Sequence, residues 1–66
     1  MSYRIETTIE GSVFAWNYVS KWWDEVRITG LESSQLYHNR ASALSDMRRE
    51  GIVDSKVVET GRIITE

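Results

Sequence analysis

Cysteine is absent from this chain of 66 residues, and His38 is its only histidine. Disulfide bonds, thiolate metal sites and histidine-based structural zinc sites are therefore excluded. A domain of this length buries only about 60% of the surface that its unfolded chain exposes, so its stability is marginal. Because the usual covalent and metal supports are missing, the fold must rest on close packing of its own residues or on a partner subunit.

The first segment of the chain has the pattern of a β-hairpin. Residues 3–10 alternate between two kinds of side chain, as in a strand that is buried on one face. Gly11 and Ser12 follow, and a glycine at the first central position is typical of a two-residue type II′ turn. We therefore predict a hairpin in which Glu10 pairs with Val13 across the turn.

The predicted register decides which side chains share a face of the hairpin, because residues directly opposite each other point the same way. The opposite pairs are Ile9 and Phe14, Thr7 and Trp16, and Ile5 and Tyr18. One face is then largely apolar and is expected to face the core. The other face is expected to be solvated, and it carries Arg4, Glu6, Thr8, Ala15 and Asn17.

The chain after the hairpin is less regular. Residues 25–29 alternate again and predict a third strand that ends at Gly30. Residues 20–24 fit a continued strand, a bulge or a turn. Two interpretations stay open for residues 31–38: a long helix capped by one of the two serines there, or a short extended piece followed by a helix that Asn39 caps.

Both interpretations predict a helix over residues 40–50. Its stripe of core-facing positions consists of Ala41, Leu44, Met47 and Arg48, with Ala43 beside it. Gly51 supplies the left-handed residue that ends a helix, and Ile52 is expected to fold back on Met47 in a Schellman motif.

Residues 56–65 predict a last strand, either continuous with a kink at Gly61 or folded as a tight terminal hairpin around Thr60 and Gly61. The order of elements is therefore β-β-β-α-β. We predict one compact α+β domain over residues 1–66, an antiparallel β-meander with one helix packed on one face.

The tryptophans are the most unusual feature of the composition. All seven aromatic residues lie within the first 37 positions, and most of them are accounted for by a core. Trp22 and Trp23 are adjacent, so in an extended segment they point to opposite faces, and at least one of them is expected to be exposed. Exposed tryptophans anchor protein interfaces. We therefore predict a partner-binding corner formed by Trp22 and Trp23 with the polar neighbours Lys21, Asp24 and Glu25.

The basic residues offer an alternative, which is contact with nucleic-acid phosphates by Arg40, Arg48, Arg49 and Lys56. The order of elements loosely resembles DNA-binding domains that read the major groove with a sheet followed by a helix. The arginine-rich sheet face of those domains is missing, since only Arg4 and Arg27 are available. The net charge of −2 also argues against strong non-specific binding to nucleic acid.

No catalytic constellation is visible in the sequence, and we expect neither enzymatic activity nor a cofactor. The four glycines are isolated, so no phosphate-binding loop is present. Only His38 is available as a base for a serine nucleophile, and we expect it to be a loop or helix-start side chain.

These observations predict a small binding module with a larger protein as its partner. Small chains without cysteine or catalytic motifs are common among phage and bacterial regulators that bind and inhibit a host protein. A structural homodimer is a further alternative, because the chain is small and its predicted edge strands contain no proline. The cytoplasm, or the host cytoplasm for a viral protein, is the expected compartment, since no signal-peptide core or membrane span is visible.

Overall fold

The computed structural model describes residues 1–61. Its sheet contains the strands β1 (Tyr3–Ile9), β2 (Ser12–Asn17), β3 (Trp22–Glu25) and β4 (Lys56–Glu59), which are antiparallel and follow the spatial order β3-β2-β1-β4. A helical turn, α1 (Val26–Thr29), and a 3-10 turn (Ser33–Gln35) precede the main helix, α2 (Arg40–Glu50), which packs on β1 and β4. The predicted α+β class and the order β-β-β-α-β are confirmed, with α1 as an additional short helix.

The first hairpin forms, but its turn lies one residue earlier than predicted. Glu10 and Gly11 are the central residues, with φ angles of 50° and 83°. Two positive φ angles are the signature of a type I′ turn, whose twist matches that of the strands. The predicted register was therefore wrong, and Thr7 lies opposite Phe14. Each residue keeps its predicted face, because the pairing is shifted by two positions and side chains alternate with a period of two.

The third strand also lies earlier than predicted. Residues 22–25 pair with β2, whereas most of the predicted strand over residues 25–29 is the helical turn α1. This turn ends at Gly30, whose φ is 72°. The alternation of Val26 and Ile28 was misleading, because no residue of α1 is buried and Ile28 is 72% exposed.

The second face of the hairpin is partly covered, although it was predicted to be solvated. Residues 26–35, which we call the crossing chain, connect β3 to the segment before α2. Both helical turns in this chain, α1 and the 3-10 turn, contact β2. Ala15 is fully buried there and Asn17 is buried as well, so the prediction was wrong for this part of the sheet. The small Ala15 side chain leaves room for the crossing chain, and Thr8 at the far end stays exposed.

A polar network fixes this crossing chain to the sheet. The Asn17 amide Nδ2 donates to Asp24 Oδ2 and to Ser34 Oγ, at 2.9 Å in both cases. Gln35, which is fully buried, donates from Nε2 to the same Asp24 oxygen at 3.1 Å. Buried polar groups that satisfy one another favour a single arrangement, so these contacts specify where the crossing chain lies.

Residues 36–37 are extended, and the second of the two open interpretations is correct. The Tyr3 and Tyr37 backbones exchange two hydrogen bonds of 2.9 and 2.8 Å, so Tyr37 continues the sheet beside β1 where β2 has ended. Asn39 then caps α2, accepting a hydrogen bond from the Ser42 backbone N–H at 2.8 Å.

Helix α2 presents a different stripe to the sheet than predicted. Its buried residues are Ala43 and Asp46. Of the predicted stripe, Met47 packs against the core as expected, as does the neighbouring Ala43, whereas Ala41, Leu44 and Arg48 are exposed. The apolar pattern left out Asp46, whose carboxylate is buried against Tyr37 and Arg49. At the other end of the helix, the predicted Schellman motif is confirmed. Gly51 lies in the left-handed region, and the Ile52 backbone N–H donates to the Met47 carbonyl at 2.9 Å.

The core between α2 and the sheet is small and aromatic. Ile5, Trp16 and Ala43 form its buried centre. Trp23 packs edge-on against Trp16, with ring centroids 5.2 Å apart and ring planes at 73°. Half-buried Met47 and several other apolar side chains surround this centre.

Strand β4 covers the first part of the last predicted strand. It pairs with β1, and Thr60 extends this pairing through a 2.9 Å hydrogen bond from its backbone N–H to the Ser2 carbonyl. The predicted continuation through residues 62–65, as a kinked strand or as a hairpin, lies outside the described residues.

Candidate binding site

The turn between β2 and β3 is held in one conformation by Asn17. Its side-chain Oδ1 accepts hydrogen bonds from the backbone N–H groups of Val19 and Ser20, at 2.9 and 3.0 Å. The Lys21 backbone N–H donates to the Asn17 carbonyl at 2.8 Å, and Lys21 adopts a φ of 59°. Asparagine is suited to this position because its side chain mimics a turn of the backbone.

This turn presents two large apolar side chains to solvent. Trp22 is 69% exposed and Val19 is 73% exposed. Trp23 points to the opposite face and packs against the core, so Trp22 is the exposed member of the pair. Sequence analysis missed Val19, because nothing in its neighbourhood distinguishes it from an inward-facing strand residue.

The polar residues of the predicted corner are engaged within the molecule. The Lys21 Nζ lies 3.2 Å from Glu50 Oε2 at the end of α2. Glu25 accepts a hydrogen bond of 3.2 Å from Arg27. Asp24 belongs to the network that holds the crossing chain. Of the five predicted residues, only Lys21 and Trp22 are exposed, whereas Trp23, Asp24 and Glu25 are half-buried.

An open groove of about 700 Å³ runs between this turn and α2. Its lining includes Tyr18, Lys21, Tyr37, His38, Asp46 and Arg49. Sequence analysis did not find this groove, because its lining residues come from the turn, from the extended piece before α2 and from α2 itself. His38 lies at an exposed position before the helix, where a loop or helix-start side chain was expected.

Two tyrosines give the groove an aromatic wall. The rings of Tyr18 and Tyr37 are 5.2 Å apart between centroids and are inclined at 58°. The Tyr18 hydroxyl donates to the Ser33 carbonyl at 2.9 Å. The Tyr37 hydroxyl donates to the Asp46 carboxylate. Both rings are therefore held in place by hydrogen bonds at their outer ends.

The ionisation of Tyr37 is strongly disfavoured. Burial of the phenol raises the pKa of Tyr37 to about 12, and the neighbouring Tyr18 contributes in the same direction. A phenolate here would lose hydration and would also lose the hydrogen bond to Asp46, because only the neutral hydroxyl can donate. Tyr37 is thus a neutral hydrogen-bond donor over the whole physiological pH range.

A chain of alternating charges borders the groove. Arg49 pairs with Asp46, and its Nε lies 3.5 Å from Glu50 Oε2. Lys21 Nζ pairs with the same Glu50 oxygen at 3.2 Å. The two acids are recessed, with side chains 5% and 24% exposed, whereas the Arg49 side chain is 67% exposed.

The residues predicted as alternative nucleic-acid contacts are spread over the molecule. Arg40 stacks on the Tyr3 ring at 5.3 Å, at the start of α2. Arg48 and Arg49 lie together at its other end, and Lys56 begins β4. The structure thus brings two of the four residues together.

Within residues 1–61, no group of three or more acidic or histidine side chains is arranged to hold a metal ion. No helix in this part of the chain is long and apolar enough to cross a membrane.

The chain matches no family model, no curated protein and no solved structure. Two features of the molecular surface are distinctive. The exposed apolar residues Val19 and Trp22 of the turn form what we call the turn surface, and the groove lined by Tyr18 and Tyr37 is called the tyrosine groove.

Proposed function

We propose that this protein is a small non-catalytic binding module that attaches to a larger protein through the turn surface. The observation that carries this proposal is the 69% exposure of Trp22 on a turn that Asn17 holds in place. In the wider biological setting, we propose a regulator or inhibitor of phage or bacterial type that acts in the cytoplasm, where a chain without cysteine needs no oxidising environment.

Physical chemistry supports a binding role for this turn. Full burial of an indole side chain contributes about 1.5–3 kcal/mol or more to the free energy of folding or binding. Because Trp22 is mostly exposed in the free protein, most of this contribution is available on binding. Val19, three residues earlier on the same turn, is a second exposed apolar side chain. Because hydrogen bonds already order the turn, a partner has little conformational entropy to remove on binding.

Nucleic-acid binding is a second candidate, supported by the adjacent exposed residues Arg48 and Arg49. It is the weaker one, because only these two of the predicted contacts lie together. The net charge of −2 also limits the number of phosphates that the protein can neutralise.

The proposal is tested by capturing partners from lysates of the native host with tagged protein, followed by quantitative mass spectrometry. Wild type, Trp22→Ala and Ile28→Ala are compared. Ile28 is the matched control, since it is a large apolar residue that is 72% exposed on α1. We expect a protein that wild type and Ile28→Ala both capture and that Trp22→Ala loses.

The partner so identified is then purified and titrated against each variant. An unchanged affinity of Trp22→Ala for every captured protein would contradict the proposal. Circular dichroism of each variant shows that a loss of binding does not come from a loss of fold.

A further inference from the structure

The exposed charges of α2 all have the same sign. The exposed charged residues of the helix are Arg40, Arg48 and Arg49, whereas Asp46 is buried and Glu50 is half-buried. Asp46 lines the groove, and Glu50 pairs with Lys21 and Arg49. The fully exposed charges of the helix are therefore all cationic.

Two of these cations adjoin the tyrosine groove. Ala41 lines the groove, and Arg48 follows it by two helical turns, so both lie on the same side of α2. Lys21 and Arg49 also line the groove, and 49% of the Lys21 side chain is exposed. The groove is therefore bordered by three exposed cations, while the acids that pair with two of them are recessed.

The exposed acids lie elsewhere on the molecule. Within residues 1–61 they are Glu10, Glu32, Asp54 and Glu59, and none of them lines the groove. Three of the six exposed cations among residues 1–61, namely Lys21, Arg48 and Arg49, thus form a cationic area beside a groove that no exposed acid lines. Such an area attracts segments of opposite charge and repels segments of the same charge.

We infer that the tyrosine groove and the outer side of α2 bind an acidic, partly apolar segment of the partner protein. This inference rests on the proposed function and names the chemistry of the partner. Acidic side chains meet Lys21, Arg48 and Arg49, and an apolar side chain packs on the tyrosine wall. Ala41, Ser42 and Ser45 on the α2 side are small, which allows the backbone of the bound segment to approach the helix closely.

An acidic protein segment fits these observations better than a nucleic acid. Helix α2 has 11 residues and is about 16 Å long, so its cations span only a few phosphates. Duplex or single-stranded nucleic acid binds through many such neutralised charges. The aromatic wall lies inside a groove, whereas base stacking requires exposed ring faces along an open track.

Fluorescence anisotropy with a labelled peptide of alternating glutamate and leucine tests the inference. The matched probe is the glutamine and leucine peptide, and a labelled oligothymidylate represents nucleic acid. We expect the acidic peptide to bind at low salt, with affinity that falls as salt is added, and the neutral peptide to bind at least about tenfold more weakly.

Charge reversal supplies the variant and its control. Arg48→Glu should weaken binding of the acidic peptide by about tenfold or more, because an exposed attraction becomes a repulsion. Arg27→Glu makes the same change at a side chain that is 81% exposed on α1, away from the groove, and should stay within about twofold of wild type. Both residues are exposed, so neither change is expected to disturb the fold.

Equal binding of the two peptides, or equal weakening by both variants, would overturn the inference. Tighter binding of oligothymidylate than of the acidic peptide would assign the surface to nucleic acid instead. A doubled mass in sedimentation, lost in Arg48→Glu, would assign it to a second copy of this chain. The proposed function is contradicted by a different result, namely that Trp22→Ala still captures the same partner. Failure of this inference and failure of the proposed function can therefore be told apart.

Discussion

Tyr37 connects three parts of the molecule at the scale of a single residue. Its backbone pairs with Tyr3 at the edge of β1, its ring packs against Tyr18, and its hydroxyl donates to Asp46 on α2. Asp46 is 4% exposed, so this hydroxyl and Arg49 supply the hydrogen bonds that water would otherwise give to its carboxylate. The burial of an acid on α2 thus depends on a tyrosine that precedes the helix.

We predict that Tyr37→Phe lowers the free energy of unfolding by about 1–3 kcal/mol, since a buried carboxylate loses one of its donors. Urea unfolding at neutral pH measures this change. Tyr3→Phe is the control, because the Tyr3 ring stacks with Arg40 through its face and keeps this contact without the hydroxyl. A loss in Tyr3→Phe as large as that in Tyr37→Phe would contradict the role given to the Asp46 hydrogen bond.

The same variant should change the response of stability to alkaline pH. The pKa of Tyr37 is about 12 in the folded protein and about 10 in an unfolded chain. The folded state therefore holds this proton more tightly, and its contribution to stability is present below pH 10 and is lost as the pH rises toward 12. Wild type should lose more stability over this interval than Tyr37→Phe, whose side chain cannot ionise.

At the scale of elements, the β1–β2 turn shows how local chemistry can mislead. A glycine followed by serine favours a type II′ turn, yet the hairpin uses Glu10 and Gly11 with two positive φ angles. Glutamate is a poor residue for the left-handed region, so the sequence offers little warning of this choice. The pairing of residues 6–9 with residues 12–15 outweighs the cost of one unfavourable residue.

Glu10→Asn should therefore stabilise the protein by about 1 kcal/mol, because asparagine tolerates the left-handed conformation and Asn-Gly is the preferred type I′ pair. Thermal and urea unfolding measure the gain. Ser12→Asn is the control and should bring no gain, since Ser12 is a strand residue paired with Ile9. A type II′ turn would produce the reverse order, with Ser12→Asn tolerated and Glu10→Asn destabilising.

The elements that could be predicted are those that depend on neighbours in the chain. The cap at Asn39 and the end at Gly51 involve groups within a few residues, and both were visible in the sequence. The inward turn of Asp46 and the lining of the tyrosine groove depend on Tyr37 and on the turn after β2, which only the tertiary fold brings near. The alternation of side chains predicted that one of Trp22 and Trp23 is exposed. Only the pairing of β3 with β2 shows that the exposed one is Trp22.

At the scale of the whole molecule, the tryptophans occupy two different environments. Trp16 and Trp23 pack against each other in a core whose buried centre also includes Ile5 and Ala43. A core this small leaves little surplus stability in a chain of 66 residues. Trp22 nevertheless stays 69% exposed, and this exposure supports the proposal that it binds a partner.

Urea unfolding of Trp22→Ala and Trp23→Ala, measured side by side, tests this division most directly. We predict that Trp22→Ala stays within about 0.5 kcal/mol of wild type, as exposed positions do. Trp23→Ala should lose about 2–3 kcal/mol or fail to fold, because it removes a packed ring from a small core. A loss in Trp22→Ala as large as that in Trp23→Ala would place both rings in the fold and would contradict the assignment of Trp22 to a binding surface.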